Sequence, residues 1–350
     1  MIVRTLKLKL NDRQEKQLED WLFCLTGVYN WAIKKIEHDA KDGIYYTPTV
    51  FQNLLADHGQ KLGIPSHTLQ GMLALAYVSW RRCFKRLGKK PRLKGRRNKL
   101  NSIPFPDPIR APKNNRISIP GLGQIRFHKQ SLPGAKIKCG RIIKRASGWH
   151  LCLFIDAEPN TIPIVADGAV GIDPGFAHLL TLSTGEKIDH PMELQLSLKR
   201  VGQAQRGHDK KLAARLHERI ANQRKDRNHK LSRRLVSENR LIVFSKDHLN
   251  GLKKHFGKSV ASAAIGQLRQ QLSYKCRQGG REYVEVDSRN STMTCSACGA
   301  LSGPKGLSGL AVRQWRCACG AQHDRDCNAA INTLIAGAGT ALKEAVNGFN

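Results

Sequence analysis

Acidic residues are the scarce component of this chain: 27 Asp and Glu stand against 59 Lys and Arg, a formal net charge of +32 over 350 residues. An excess of that size cannot be neutralised internally, so much of it must face solvent or an anionic partner. Long apolar runs are missing too. No segment approaches the roughly 18 to 20 apolar residues of a membrane span. The first ten residues alternate apolar with basic side chains and read as a strand, not as the apolar centre of a signal peptide. The expected location is the cytoplasm, nucleoid-associated, with no membrane partner. A disulfide framework is absent as well: of ten cysteines, Cys24, Cys83, Cys139, Cys152, Cys276 and Cys327 are scattered singly and read as reduced thiols. An apolar fraction of 40% excludes wholesale disorder and, at this length, allows two or three domains.

The other four cysteines are paired. Cys295-Ser-Ala-Cys298 and Cys317-Ala-Cys319 bracket a short loop, and Zn²⁺ favours four thiolates offered by two such turns. The second pair is one residue short of the usual spacing, which leaves His323 as an alternative ligand in place of Cys317 or Cys319. A closed thiolate site of this kind is structural. The run His323-Asp-Arg-Asp326-Cys-Asn-Ala-Ala follows directly. A zinc-type knuckle feeding an acidic helix start, in so basic a chain, points to metal-dependent chemistry on nucleic acid.

Ahead of the knuckle the chain changes character several times. Asn11 caps a helix whose apolar stripe runs through Leu18, Trp21, Leu22, Leu25, Val28, Tyr29 and Ala32, and helical stretches follow near 48–62 and 66–84. Their aromatic residues read as core. Residues 85–99 carry nine basic side chains in fifteen, broken by Gly and Pro. So dense a block repels itself unless phosphates neutralise it, which makes Lys89, Lys90, Arg92, Lys94, Arg96 and Arg97 candidate nucleic-acid contacts. Short alternating segments from 103 to 155 predict a small β-barrel completed by the N-terminal strand.

From residue 165 strands and helices alternate, predicting an α/β sheet that is at least partly parallel. Ala169-Val-Gly-Ile-Asp173 is a buried strand ending in an acid, followed by a hairpin strand. Residues 199–234 read as a long helical stretch with thirteen Lys or Arg against three acids, whose apolar face is Leu212, Leu216 and Ile220. Lys210, Lys211, Arg219, Arg224, Lys225, Arg227 and Lys230 form its basic rail. Strands at 241–244 and 282–287 flank a helix near 260–276. Acids at strand ends of such a sheet gather at one edge. Phosphodiester cleavage through two divalent ions needs three or four carboxylates joined in space. Asp173 and Asp326 meet that need, although Asp173 could start a turn and Asp326 could cap a helix beginning near Ala329.

The order of these parts, with VGID173PG, the basic stretch His217 to Ser232, Gln267 to Lys275, the knuckle and DRD326CNAAIN, resembles the TnpB family of transposon-associated, RNA-guided nucleases related to type V CRISPR effectors. The resemblance implies an α/β multi-domain protein: a β-barrel (1–10 and 101–163), a helical recognition module (11–100), a RuvC/RNase H-like core (164–293 and 324–336), the zinc knuckle (294–323) and a tail (337–350). It also implies a guide RNA, a double-stranded DNA target with a short flanking motif, one protein per RNA, structural Zn²⁺, and Mg²⁺ held by three acids. Two of the acids match Asp173 and Asp326. The family's middle Glu falls on Ser245, which cannot replace a carboxylate. Asp247, two residues on and on the same strand face, is the expected substitute, with Glu238 and Glu285 as weaker candidates. If none serves, the resemblance implies a nuclease-dead, RNA-guided DNA-binding repressor; retention of both other acids and of the knuckle favours cleavage.

Overall fold

Asn11 sets the first helix where its side chain predicts. Its Oδ1 accepts the Gln14 N–H at 2.8 Å while the Gln14 side chain accepts the Asn11 N–H at 3.3 Å, a reciprocal capping box. In the computed structural model the described residues are 1–96, 98–158, 161–175, 178–190, 192–246, 264–287, 289–305 and 308–347, so Arg97 and Asp247 lie outside them. The chain forms two compact units, Met1–Pro159 and Asn160–Asn350.

In the first unit, β1 (Ile2–Lys9), β2 (Ser102–Phe105), β3 (Arg116–Ile119), β4 (Gly123–Phe127), β5 (Ile137–Arg145) and β6 (Gly148–Ile155) make one antiparallel sheet in the order β2-β5-β6-β1-β4-β3. β1 holds it together, pairing with β6 over Ile2 to Lys7 and with β4 at Leu8 and Lys9. The N-terminal strand completes the sheet of the small barrel expected, and the edge strands β2 and β3 do not pair with each other among the described residues, so the sheet is left open between them. The helices are α1 (Asp12–Lys41), α2 (Pro48–Asn53), α3 (Gly59–Leu62) and α4 (Ser66–Phe84). The stretch expected near 48–62 is thus two short helices with a 3-10 turn at Ala56–His58 between them. Helices and sheet share one core: Leu6 and Leu8 of β1 lie in the same buried cluster as Leu18, Trp21, Leu25, Leu69, Met72 and Trp80. Each buried leucine contributes about 1.5 to 3 kcal/mol, and neither layer could bury its apolar face alone.

The second unit is built on a five-stranded sheet, β11-β10-β7-β8-β9. Here β7 is Gly168–Pro174, β8 Leu180–Leu182, β9 Lys187–Ile188, β10 Asn239–Lys246 and β11 Glu282–Asp287. β7, β8 and β9 form an antiparallel meander, and β10 runs parallel to both β7 and β11. The basic stretch is two helices, α5 (Met192–Arg206) and α6 (Lys210–Glu238), not one. The break falls at Gly207 and at His208, whose φ is 54°, and Asp209 caps α6 by accepting the Leu212 N–H at 2.9 Å. Leu212 is exposed; Ala213, half-buried Leu216 and Ile220 form the inward face instead.

Val170, Ile172, Ile242 and Phe244 point to one face of the sheet, where they pack with Leu235 of α6 and with Leu268 and Leu272 of α7 (Ile265–Gln278). The other face is covered by α8 (Arg325–Asn347). Gly171 makes that contact possible, since a Cβ there would lie 2.1 Å from the Ala330 carbonyl oxygen. Gly337 repeats the device two turns on, against Val243. The segment expected as a tail after Ala336 is therefore helix as far as Asn347, and its start packs on β10.

Candidate functional site

Period-two alternation places Asp173 on the same face as Gly171, two residues further along β7, about 7 Å away. Asp326 stands in the first turn of α8, four residues and about 6 Å before Ala330, the residue that lies on Gly171. Each of the two acids thus stands about one repeat from the contact between Gly171 and Ala330. Asp326 does not cap the helix. That role belongs to Asp324, whose Oδ1 accepts the N–H groups of Asp326 and Cys327 at 3.1 and 3.0 Å. Burial pushes the Asp324 carboxyl up, but the Lys187 hydrogen bond at 2.6 Å and the Cys327 N–H hold it below the usual range. The cap leaves the Asp326 side chain to project elsewhere, with Arg313 3.4 Å away.

The third position is informative. Val243 pairs with Gly171 and Phe244 with Ile172, so continuing the parallel ladder by one residue sets Ser245 beside Asp173, on the α8 face. Ser245 is 1% exposed, and its hydroxyl finds no hydrogen-bond partner among the described residues. A buried hydroxyl left unpaired costs about 1 to 3 kcal/mol, so Ser245 calls for a polar partner that the described residues do not supply. Glu285 is ruled out as the substitute acid. It pairs with Phe244 in register and so faces the opposite side of the sheet, where Arg269 of α7 and the Tyr283 hydroxyl bind it. Burial pushes its carboxyl up, and those two donors outweigh burial and hold it low. Glu238 is at the wrong end: its neighbour Asn239 pairs with Gly168, five residues before Asp173. Asp247, beyond the end of β10, lies outside the described residues.

The knuckle sulfurs converge. The Sγ atoms of Cys295, Cys298, Cys317 and Cys319 all lie within 4.8 Å of one another, with Cys295 to Cys319 at 3.8 Å and Cys298 to Cys317 at 3.6 Å. A tetrahedron with Zn–S bonds of about 2.3 Å has edges of about 3.8 Å, so the set fits a zinc-type ion. The short second pair works because its turn is tighter. Gly320 (φ 90°) donates to the Cys317 carbonyl at 2.9 Å, whereas in the longer pair Gly299 (φ 77°) donates to Cys295 at 2.8 Å. His323 is not needed as a ligand; its Nε2 lies 3.0 Å from Cys295 Sγ, and its ring packs on Trp315 at 4.5 Å across the hairpin of β12 (Gln314–Arg316) and β13 (Gln322–Asp324). The Ser302 hydroxyl, 3.0 Å from Cys317 Sγ, lowers that thiol's pKa, while the neighbouring thiols raise that of Cys298, as expected of sulfurs held this close without an ion between them. Among the described residues, this is the only group of three or more metal-ligating side chains close enough to hold one ion.

The basic residues divide. In the block after α4, Asn30 exchanges hydrogen bonds with the Lys94 backbone at 2.7 and 2.9 Å, Lys94 sits over the Tyr29 ring, and Lys90 pairs with Glu37. The loop is therefore laid along α1, and Lys89, Arg92 and Arg96 are left exposed. On α6, Lys210, Lys211, Arg219, Lys225 and Lys230 are exposed, Lys230 with Asp226 beside it at 2.8 Å. Arg224 and Arg227 are half-buried, and burial lowers both guanidinium pKa values. Arg227 binds the side chain of buried Asn228 at 3.0 Å, so these two belong to the helix packing more than to the rail. No described helix is long and apolar enough to cross a membrane.

The mixed sheet and the four-cysteine knuckle of the second unit fall within the segments that two family models match. The family described as probable transposase matches residues 158–254, and the Cas12f1-like TNB domain matches residues 266–333. A putative RNA-guided DNA endonuclease of Streptomyces pristinaespiralis is 33% identical over 78% of this chain and 72% of its own length. The putative RNA-guided DNA endonuclease InsQ of Escherichia coli K12 is 24% identical over 95% of this chain and 91% of its own. The protein in a cryo-EM structure of a Cas12f1–sgRNA–target DNA complex shares the fold, with a TM-score of 0.58 and 13% identity over 92% of this chain and 83% of that one. The chain belongs to the TnpB family, whose relatives include RNA-guided DNA endonucleases.

Proposed function

We propose that this protein binds a guide RNA, recognises a short motif beside a matching DNA target, and cuts that target at the edge carrying Asp173 and Asp326. The observation that supports the reading is the seating of α8 on Gly171, which lies about one repeat from each acid, together with a sheet order compatible with a RuvC/RNase H-like core. Asp247, taken from its spacing of two residues after Ser245 in the sequence, is the acid we assign to the third place. These three would hold Mg²⁺, which supplies an activated water and stabilises the leaving oxygen. The thiolate knuckle holds Zn²⁺ and anchors the start of α8: Asn328 takes the Ser296 N–H at 2.9 Å and donates to the Thr294 carbonyl at 2.8 Å. The exposed cations of α6 and of the loop along α1 bind RNA and heteroduplex backbone by shape.

A second reading rests on Ser245. The place beside Asp173 holds a buried hydroxyl and no carboxylate, which fits an RNA-guided repressor that binds without cutting. One experiment separates the two. The protein is purified with co-expressed RNA, the RNA is sequenced, and cleavage of a matching DNA library with randomised flanks is measured in Mg²⁺ for the wild type, Asp173→Ala and Asp247→Ala. Cleavage lost in both variants establishes the guided nuclease. Target binding without cleavage in Mg²⁺ or Mn²⁺ establishes the repressor, and absence of bound RNA refutes both.

A further inference from the structure

At the far end of α1 and α4 the first unit carries an aromatic pocket that the sites above do not use. Its cavity, of about 130 Å³, is walled by Tyr45, Tyr46, Tyr77, Trp80, Arg81 and Phe84 on an apolar floor. The inner rings are fixed by their polar ends: Trp80 Nε1 donates to the Ile33 carbonyl at 2.9 Å, the Tyr77 hydroxyl to the Tyr46 carbonyl at 3.0 Å, and the Tyr46 hydroxyl to Asp39. The outer rings are not covered. Tyr45 is 73% exposed and Phe84 51%, and Phe84 stacks on Trp80 at 5.2 Å with 23° between the planes. Phe84 is the last residue of α4, so the basic block begins at the next residue. Exposed Arg81 stands on the rim and makes no ion pair among the described residues.

Rigid aromatic walls, two solvent-facing rings and cations leading away from the rim form a stacking platform joined to a phosphate track. A purely apolar ligand would leave Arg81 and the adjoining cations without a counter-charge, and a duplex hides its base faces. We infer that this pocket takes one unpaired base of a single-stranded nucleic acid, stacked against Phe84 and Tyr45, with its backbone led along the basic loop by Lys85 and Lys89. The inference rests on the reading of this protein as a nucleic-acid binder and adds a site to it.

The test uses the full chain stripped of nucleic acid, with short single-stranded RNA and DNA oligonucleotides carrying 2-aminopurine or an abasic residue at one position. Wild-type protein should quench 2-aminopurine by stacking. Phe84→Ala should weaken binding of the base-containing strand about tenfold and leave binding of the abasic strand unchanged. Phe84→Leu, which keeps an apolar side chain without the ring, serves as the folding control and should weaken the quench while keeping the melting temperature. The RNA and DNA arms show which strand is the source of the base. If Phe84→Ala weakens both strands equally, or neither, the pocket inference is wrong while nucleic-acid binding stands. If the wild type binds neither strand, the broader functional reading fails with it. A solution mass of two chains that falls to one in Phe84→Ala would assign the face to a second copy and overturn the inference.

Discussion

Replacing Gly171 with alanine tests the contact on which the candidate site depends. The new Cβ would lie 2.1 Å from the Ala330 carbonyl oxygen and 2.7 Å from the Leu334 nitrogen. Both are backbone atoms of α8, so no rotamer change relieves the overlap. Ordinary non-bonded separations are about 3.5 Å, so the helix must retreat by more than about 1 Å. It is pinned one step along by Gly337, where an added Cβ would meet Val243 at 2.2 Å. Overpacking of this kind costs about 1 to 3 kcal/mol. For a unit of this size that lowers the melting temperature by about 2 to 12 °C. The retreat carries Asp326 away from Asp173, and a 1 Å misplacement costs about a hundredfold in rate. Differential scanning fluorimetry and single-turnover cleavage, with target binding as the control, read the two effects. Gly171→Ala with an unchanged melting temperature would refute the placement of α8 on β7, and with it the convergence of the two acids.

Other outcomes follow from the same geometry. Ser245→Glu puts a carboxylate beside Asp173; on the repressor reading it should create Mg²⁺-dependent cleavage where none existed, and on the Asp247 reading cleavage should survive Asp247→Ala in that background. Cys295→Ser, or treatment with a zinc chelator, should release the metal measured by mass spectrometry and lower the melting temperature; purified protein without zinc would sink the thiolate site. Glu285→Gln should leave cleavage unchanged and cost about 1 kcal/mol, because it weakens the bonds to partly buried Arg269 without touching the acid edge. Lys275 is buried, its Nζ bonded to the His229 carbonyl at 2.6 Å and to Ser232 at 2.8 Å, and burial, with Arg233 nearby, lowers it from 10.5 to about 8. Between those two pH values the unfolded chain binds the extra proton, so wild-type stability should rise with pH relative to Lys275→Met, by up to about 3 kcal/mol. Burial raises neighbouring Cys276 from 9.0 to about 12, which lowers stability above pH 9 in both proteins and cancels in the difference. Denaturant titrations from pH 7 to 10 check the sign.

Local signals carried far. Asn11 predicted the first helix start, the stripe from Leu18 to Ala32 its buried face, and alternation the strand at 282–287, because each depends on neighbours within a few residues. The thiolate set was legible for the same reason: two short turns deliver four sulfurs whatever surrounds them. The break at Gly207 and His208 was missed because apolar spacing resumes in phase on its far side. Asp324 was overlooked as the cap of α8 because Asp324 and Asp326 offer equivalent starts two residues apart, and only the N–H directions choose between them.

By itself the sequence determined the charge, the element types, the knuckle ligands and the family pattern with its serine at position 245, since all are properties of composition and spacing. Only the tertiary structure decided which faces and neighbours the candidate acids have. Register set Ser245 beside Asp173 and turned Glu285 to the other face, and close approach at Gly171 seated α8, which begins with Arg325 and Asp326, on β7. It likewise sorted the cations into solvent-facing Lys210 and Arg219 and inward Arg224 and Arg227, and left Phe84 and Tyr45 uncovered while burying Trp80. Pairing register and helix docking are set by contacts between distant segments, and no local pattern contains them.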